Sequence, residues 1–254
     1  MPSGDEDHAE DHARDGTPCP ADGPTSLLSC AARAARTGLG LRGLPAGLAR
    51  LLGLDFLALS AVTHSGLPEL VWDEPSGGLG AELEELQFAL GDGPTLEAAP
   101  RSRPLAEPDL AATDPARWPA FLPEAVNTAV RAVVAVPLLL GVATVGVLTG
   151  YRTAPGALTD TQWRDLRRLS RTLVALLLDT ADAAPADETG PRSDLVLRRA
   201  EIHQATGYLS DRLGIPPAQA LLRLRSYALG HTIPLTTLAR ALLTGRLPPE
   251  SLDE

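Results

Sequence analysis

Guanidinium groups are the densest source of chemistry in this chain, and they gather towards its C-terminal end. Between Pro191 and Leu247 stand eight arginines against three acids, a net charge of +5, although the 254-residue chain as a whole carries −10. No lysine occurs anywhere, so every fixed positive side chain is a planar fork suited to phosphate oxygens and to stacking on bases. Arg198, Arg199, Arg223 and Arg225 lie close enough in sequence to serve one surface, and Gln204 and Tyr227 add a hydrogen-bonding edge and a stacking face. Such a set fits a nucleic-acid contact confined to one end of the chain, while the overall acidity argues against a protein that coats nucleic acid along its length. The same arginines would also serve as an ordinary solvated helix surface.

Other candidate groups are poorer in context. His8 and His12 have a metal-like spacing of four, but within residues 1–22, where seven acids face one arginine for a net of −6; no metal site is expected there. His64 stands beside Ser65 without an accompanying acid or oxyanion motif, and neither a P-loop nor a dinucleotide fingerprint is present. An enzyme is therefore the least expected class, and no cofactor is expected. Cys19 and Cys30 lack metal-ligand spacing and are too few for a disulfide framework, so unpaired thiols are expected. Trp72, Phe88, Trp118 and Phe121 could line a small-molecule pocket, although aromatics in a sheet domain more often fill the core.

The elements that must position these groups follow from periodicity. Helices are expected over Leu27–Thr37 and, started by Pro45, over Leu44–Leu52. Leu54–Val62 and Glu69–Trp72 read as a hairpin, as do Ala132–Leu140 and Ala143–Tyr151, turning near Gly141. Leu83–Leu90 is expected to be helical until Gly91-Asp92-Gly93-Pro94 breaks it, and Pro100–Pro123 to wander over the surface. From Asp160 to Thr180, Trp163, Leu166, Leu169, Leu173 and Leu176 fall on one helical face, which needs either the N-terminal helix or a second subunit as partner. Pro185, Gly190 and Pro191 then mark a linker over 181–193. Beyond it, three short helices are expected. Ile202, Ala205, Leu209 and Leu213 face the core of the first; Ala220, Leu221, Leu224 and Ala228 of the second; Leu235, Leu238, Ala239 and Leu242 of the third. No apolar stretch reaches the roughly 20 residues needed to span a bilayer. The acidic start is unlike a secretion leader, so a cytoplasmic protein is expected.

Over residues 25–180 this order of elements resembles a GAF domain. Leu86–Ala98 (LQFALGDGPTLEA), Arg117–Phe121 (RWPAF) and Val130–Leu138 (VRAVVAVPL) are similar to the GAF domains of actinobacterial GAF-ANTAR regulators. Arg198–Leu247 resembles the ANTAR domain, a three-helix RNA-binding module. The resemblance implies an α+β GAF-like sensor domain, an antiparallel sheet with helices, followed by a small all-α three-helix ANTAR bundle. The expected units are a disordered acidic tail (1–24), the sensor (25–180), the linker (181–193), the RNA-binding bundle (194–247) and a short tail (248–254). Family RNA binding centres on an Ala-Lys-Gly motif that here reads Ala205-Thr206-Gly207, which adds Thr206 and Gly207 to the expected RNA contacts. Losing the lysine removes one charge-assisted contact, on the order of 1.5–3 kcal/mol. Thr95 stands where pigment-binding relatives often carry cysteine, and the cyclic-nucleotide pattern is absent, so neither ligand is expected.

The resemblance implies a signal-responsive regulator, a homodimer that binds RNA stem-loops in nascent transcripts and promotes antitermination. Its GAF domain would take a small-molecule or protein signal. Two readings compete: a helix-turn-helix DNA regulator, and a ligand- or partner-binding scaffold whose bundle has lost RNA binding.

Overall fold

The computed structural model describes residues 24–34, 40–63, 66–181 and 191–252. The acidic tail with His8, His12 and Cys19, the pair His64-Ser65 and most of the expected linker lie outside the described residues.

Strands β1 (Phe56–Val62), β2 (Pro68–Glu74), β3 (Leu105–Glu107), β4 (Ala132–Leu140) and β5 (Ala143–Arg152) form one antiparallel sheet in the order β2-β1-β5-β4-β3. On β4, Val134, Val136 and Leu138 point into one core and Val133 and Ala135 into others on the opposite face. This two-residue alternation explains why the strand reads as an unbroken apolar run: both faces are covered. Pro137 is tolerated because β3 pairs with β4 only from Val133 to Ala135, which leaves the far side of Pro137 unpaired.

One face is covered by α1 (Pro24–Ala34), α2 (Leu48–Leu51) and α6 (Asp160–Ala181). The α6 stripe finds its partner inside the chain: Leu166, Leu169, Leu173 and Leu176 are each 0% exposed against α1 and the sheet. The helix expected over Leu44–Leu52 shrinks to the single turn of α2, preceded by a 3-10 turn at Gly40–Gly43. Pro45 does not start it. Glu74 at the end of β2 does, accepting from the backbone N–H groups of Gly47 and Ala49. Cys30 on α1 is disulfide-bonded, against the expectation of unpaired thiols; the other cysteine of the chain is Cys19.

The other face carries α3 (Leu79–Leu90), α4 (Pro94–Arg101) and α5 (Phe121–Val126). The stretch expected to wander holds the last turn of α4, then β3 and a 3-10 turn at Leu110–Ala112; a three-residue strand is too short to show alternation. Where β5 crosses β1, the backbone leaves no room for a side chain at Gly146: an added Cβ would stand 2.7 Å from the Ser60 carbonyl oxygen. Gly146→Ala is therefore expected to force the strands apart and to cost about 1–3 kcal/mol, read as a lower midpoint in a urea melt.

The C-terminal unit is a bundle of α7 (Pro191–Leu213), α8 (Pro217–Gly230) and α9 (Leu235–Leu243). Its core contains the expected side chains of the three stripes, with Leu213 only partly buried. Pro191 does not break a helix but opens α7, a position where its missing N–H costs nothing. The expected tail is also part of the fold, because a 3-10 turn at Pro249–Leu252 returns to the bundle and Leu252 is 4% exposed within it.

Candidate functional site

Helix α3 stands between the sheet and the bundle, and it presents polar groups to both. Positions that helical periodicity assigns to the core, Ala81, Leu83, Glu84, Gln87 and Phe88, include a carboxylate and an amide. Glu84 is 3% exposed and accepts from four side chains. Its Oε1 accepts from Tyr151 Oη at 2.7 Å, Thr95 Oγ1 at 2.8 Å and Gln87 Nε2 at 3.3 Å, and its Oε2 from Ser60 Oγ at 3.0 Å. Gln87 also donates to Tyr151 Oη and accepts from the Thr95 backbone N–H, while the Thr95 and Thr149 hydroxyls pair at 2.7 Å. Burial raises the Glu84 pKa above its ordinary value even with these donors, and burial followed by the neighbouring Glu84 charge pushes Tyr151 well above its own.

The opposite side of α3 grips the bundle. Phe88, 2% exposed, inserts its ring into the bundle core. The Arg199 guanidinium lies 4.8 Å and that of Arg225 5.3 Å from the Phe88 ring centre. Arg199 Nη2 sits 2.7 Å from Glu85 Oε1, and Arg225 donates from Nε and Nη2 to the Phe88 carbonyl oxygen at 3.0 and 2.6 Å. Room for Arg225 comes from Gly91, which ends α3 at φ 71° and whose missing Cβ would stand 3.1 Å from that side chain. From β2, Glu69 Oε1 reaches His203 Nε2 at 2.9 Å.

This grip is incompletely satisfied. Arg199 Nε and Nη1 are buried without a hydrogen-bond partner among the described residues. Such donors cost on the order of 1–3 kcal/mol each, so the docked arrangement is held less firmly than its contacts alone imply. The acid on β2 also makes it sensitive to pH. Burial pushes Glu69 upward, but the close His203 imidazole and the Arg199 charge outweigh it and leave the pKa below its ordinary value. A lowered acid pKa contributes docking stability that is complete above 4.5 and lost as pH falls through the lowered value. Acidification is therefore expected to raise hydrogen exchange along α3 and α7, and Glu69→Gln to weaken docking at neutral pH and flatten that acid step.

Several residues expected to meet RNA are placed elsewhere. Arg199 of the first bundle helix and Arg225 of the second both turn inward onto α3, because Glu85, the Phe88 ring and the Phe88 carbonyl meet them there, and periodicity within the bundle cannot report those partners. Thr206, an expected RNA contact, is 6% exposed and its hydroxyl donates to the Ile202 carbonyl one turn back. Gln204 and Gly207 are exposed on α7, and Arg198 lies on the same helix. Arg223 is half-buried on α8; Tyr227 is half-buried there and stacks on His231 with ring centres 3.9 Å apart. His231 follows the last turn of α8 and bonds the Tyr227 carbonyl through Nδ1.

The four aromatics do not share a cavity. Trp72 belongs to the core under α1 and α6, Phe88 to the bundle core, and Trp118 and Phe121 to a third core under α3 and α5. Trp118 donates to Glu97, which also holds Arg101 and Arg117. The polar network around Glu84 escaped the sequence reading, although a carboxylate on the apolar stripe of Leu79–Leu90 was its visible sign.

No protein-family model matches the chain, and no curated protein matches it. Solved structures do. The GAF domain of a phosphoenolpyruvate-protein phosphotransferase from Coxiella burnetii superposes with a TM-score of 0.50 at 15% identity, covering 62% of this chain and 94% of its own. The GAF domain of the corresponding Acinetobacter protein gives 0.49 at 13% identity, over 64% and 97%. Free methionine-R-sulfoxide reductase from Neisseria meningitidis gives 0.47 at 16% identity, over 63% and 92%. The sheet unit thus has the GAF fold. No helix among the described residues is long and apolar enough to cross a membrane.

Proposed function

We propose that this chain is a signal-responsive RNA-binding regulator of transcription antitermination, in which the GAF unit senses and the C-terminal bundle is an ANTAR output, held here in a closed state. One observation carries the reading: two bundle arginines, Arg199 and Arg225, are withheld by α3 through a carboxylate, a carbonyl and a ring, with donors of Arg199 left unsatisfied. Guanidiniums so held gain hydrogen bonds on meeting phosphate, and Gln204, Gly207 and Arg198 on α7 extend the same contact. A signal that loosens α3 opens the bundle to stem-loop RNA, and two chains act together on paired loops.

The test is a competition between a stem-loop RNA pool and duplex DNA, on the full chain and on Glu85→Arg, which repels Arg199 without touching the bundle. Glu85→Arg is expected to bind stem-loops more tightly than the unmodified chain, with affinity falling steeply as salt rises. Preference for duplex DNA would favour the helix-turn-helix reading. The scaffold reading is favoured by the inward Thr206 hydroxyl, and absence of binding at low salt in both chains would establish it.

A further inference from the structure

An open groove of about 470 Å³ lies where the GAF unit meets the bundle, away from the Glu84 network. Leu67, Pro68, Leu96, Ala99 and Pro100 give it apolar walls, and Arg225 supplies the single charged side chain in its lining. No acid lines it. Arg225 spends Nε and Nη2 on one neutral carbonyl, and its Nη1 donates to nothing among the described residues. Burial without a carboxylate partner lowers its pKa to about 10. Ser102 and Thr144 add hydroxyls 3.0 Å apart at the edge. We propose that this groove binds a small amphipathic monocarboxylate, its carboxylate on Arg225 Nη1 and its aliphatic body against Leu67, Leu96 and Ala99.

The size and lining select this class. A groove within the roughly 300–1,000 Å³ of small-molecule sites, mostly apolar with one convergent polar group, is the usual form of such a site. One guanidinium with one nitrogen to spare matches one carboxylate; a phosphate dianion would leave most of its oxygens facing hydrocarbon. Because the apolar walls belong to the GAF unit and the charged anchor Arg225 to the bundle, the ligand requires the docked arrangement and stabilises it by linkage.

Isothermal titration of the full chain with sodium octanoate tests this, with octanol and inorganic phosphate as comparison probes. Octanoate is expected to bind and to slow proteolysis between the units, whereas octanol and phosphate bind at least about tenfold more weakly. Arg225→Gln removes the charged anchor, and Ala99→Trp fills the groove while leaving Arg225 in place; each is expected to weaken octanoate about tenfold or more. Circular dichroism checks that both variants fold. Equal binding of octanol, tighter binding of phosphate, or unchanged octanoate affinity in a folded Ala99→Trp chain overturns the proposal. The readout needs no RNA, so failure of the antitermination reading leaves it standing and the reverse.

Discussion

Replacing Phe88 by alanine is expected to free the helical bundle from the GAF unit while leaving both folded. The ring is buried in the bundle core, yet its backbone belongs to α3, so it fastens one unit to the other. Truncating a buried phenylalanine costs about 3–5 kcal/mol. Little of that loss falls on the sheet, whose cores consist of other residues. Arg199 and Arg225 lose the ring they share, and the Phe88 carbonyl becomes mobile with its helix end. Every 1.4 kcal/mol is about tenfold in an equilibrium constant, so a 3 kcal/mol shift towards the open form permits roughly a hundredfold gain in stem-loop RNA affinity. Fluorescence anisotropy measures the gain, and limited proteolysis between residues 181 and 191 measures the release. An unchanged RNA affinity alongside faster cleavage would mean that the withheld arginines are packing groups only.

Glu84→Ala should have the opposite distribution of effects, unfolding the GAF unit and sparing the bundle core. It removes the acceptor of Ser60, Thr95, Gln87 and Tyr151 at once, in surroundings from which water is excluded. Orphaned donors at about 1–3 kcal/mol each, partly relieved by re-pairing among themselves, place the loss on the order of 3–5 kcal/mol. Glu84→Gln separates charge from geometry. Because the folded pKa is raised, the folded chain holds its proton more tightly than the unfolded one, and stability is lost as pH rises from 4.5 through the raised value. Thermal melts across that window are expected to fall for the unmodified chain, and Glu84→Gln to lack this part of the fall. Parallel curves would show that Glu84 is ionised throughout.

The contrast between these two sites also explains what the sequence made legible. Both hairpins were readable as short apolar runs closed by turns, and the α6 and bundle stripes because each repeats a local period of three or four residues. What failed depends on partners distant in sequence. The start of α2 is set by Glu74, 27 residues beyond Gly47. Arg225 is turned inward by a carbonyl 137 residues earlier. Periodicity within α7 had no means of showing that Glu85 and Phe88 of a second unit meet Arg199, or that the Thr206 hydroxyl turns back onto its own helix. The aromatics are buried as their identities predict, but identity does not say which of three cores receives each.

Because a single helix is wall to the Glu84 network and handle to the bundle, inheritance cannot tune the two separately. Any change that reshapes what the inner face tolerates also shifts how firmly the bundle is held, and selection on one trait drags the other with it. Divergence of the buried network is expected to proceed through paired replacements, one at Glu84 or Gln87 and a compensating one at Glu85 or Phe88.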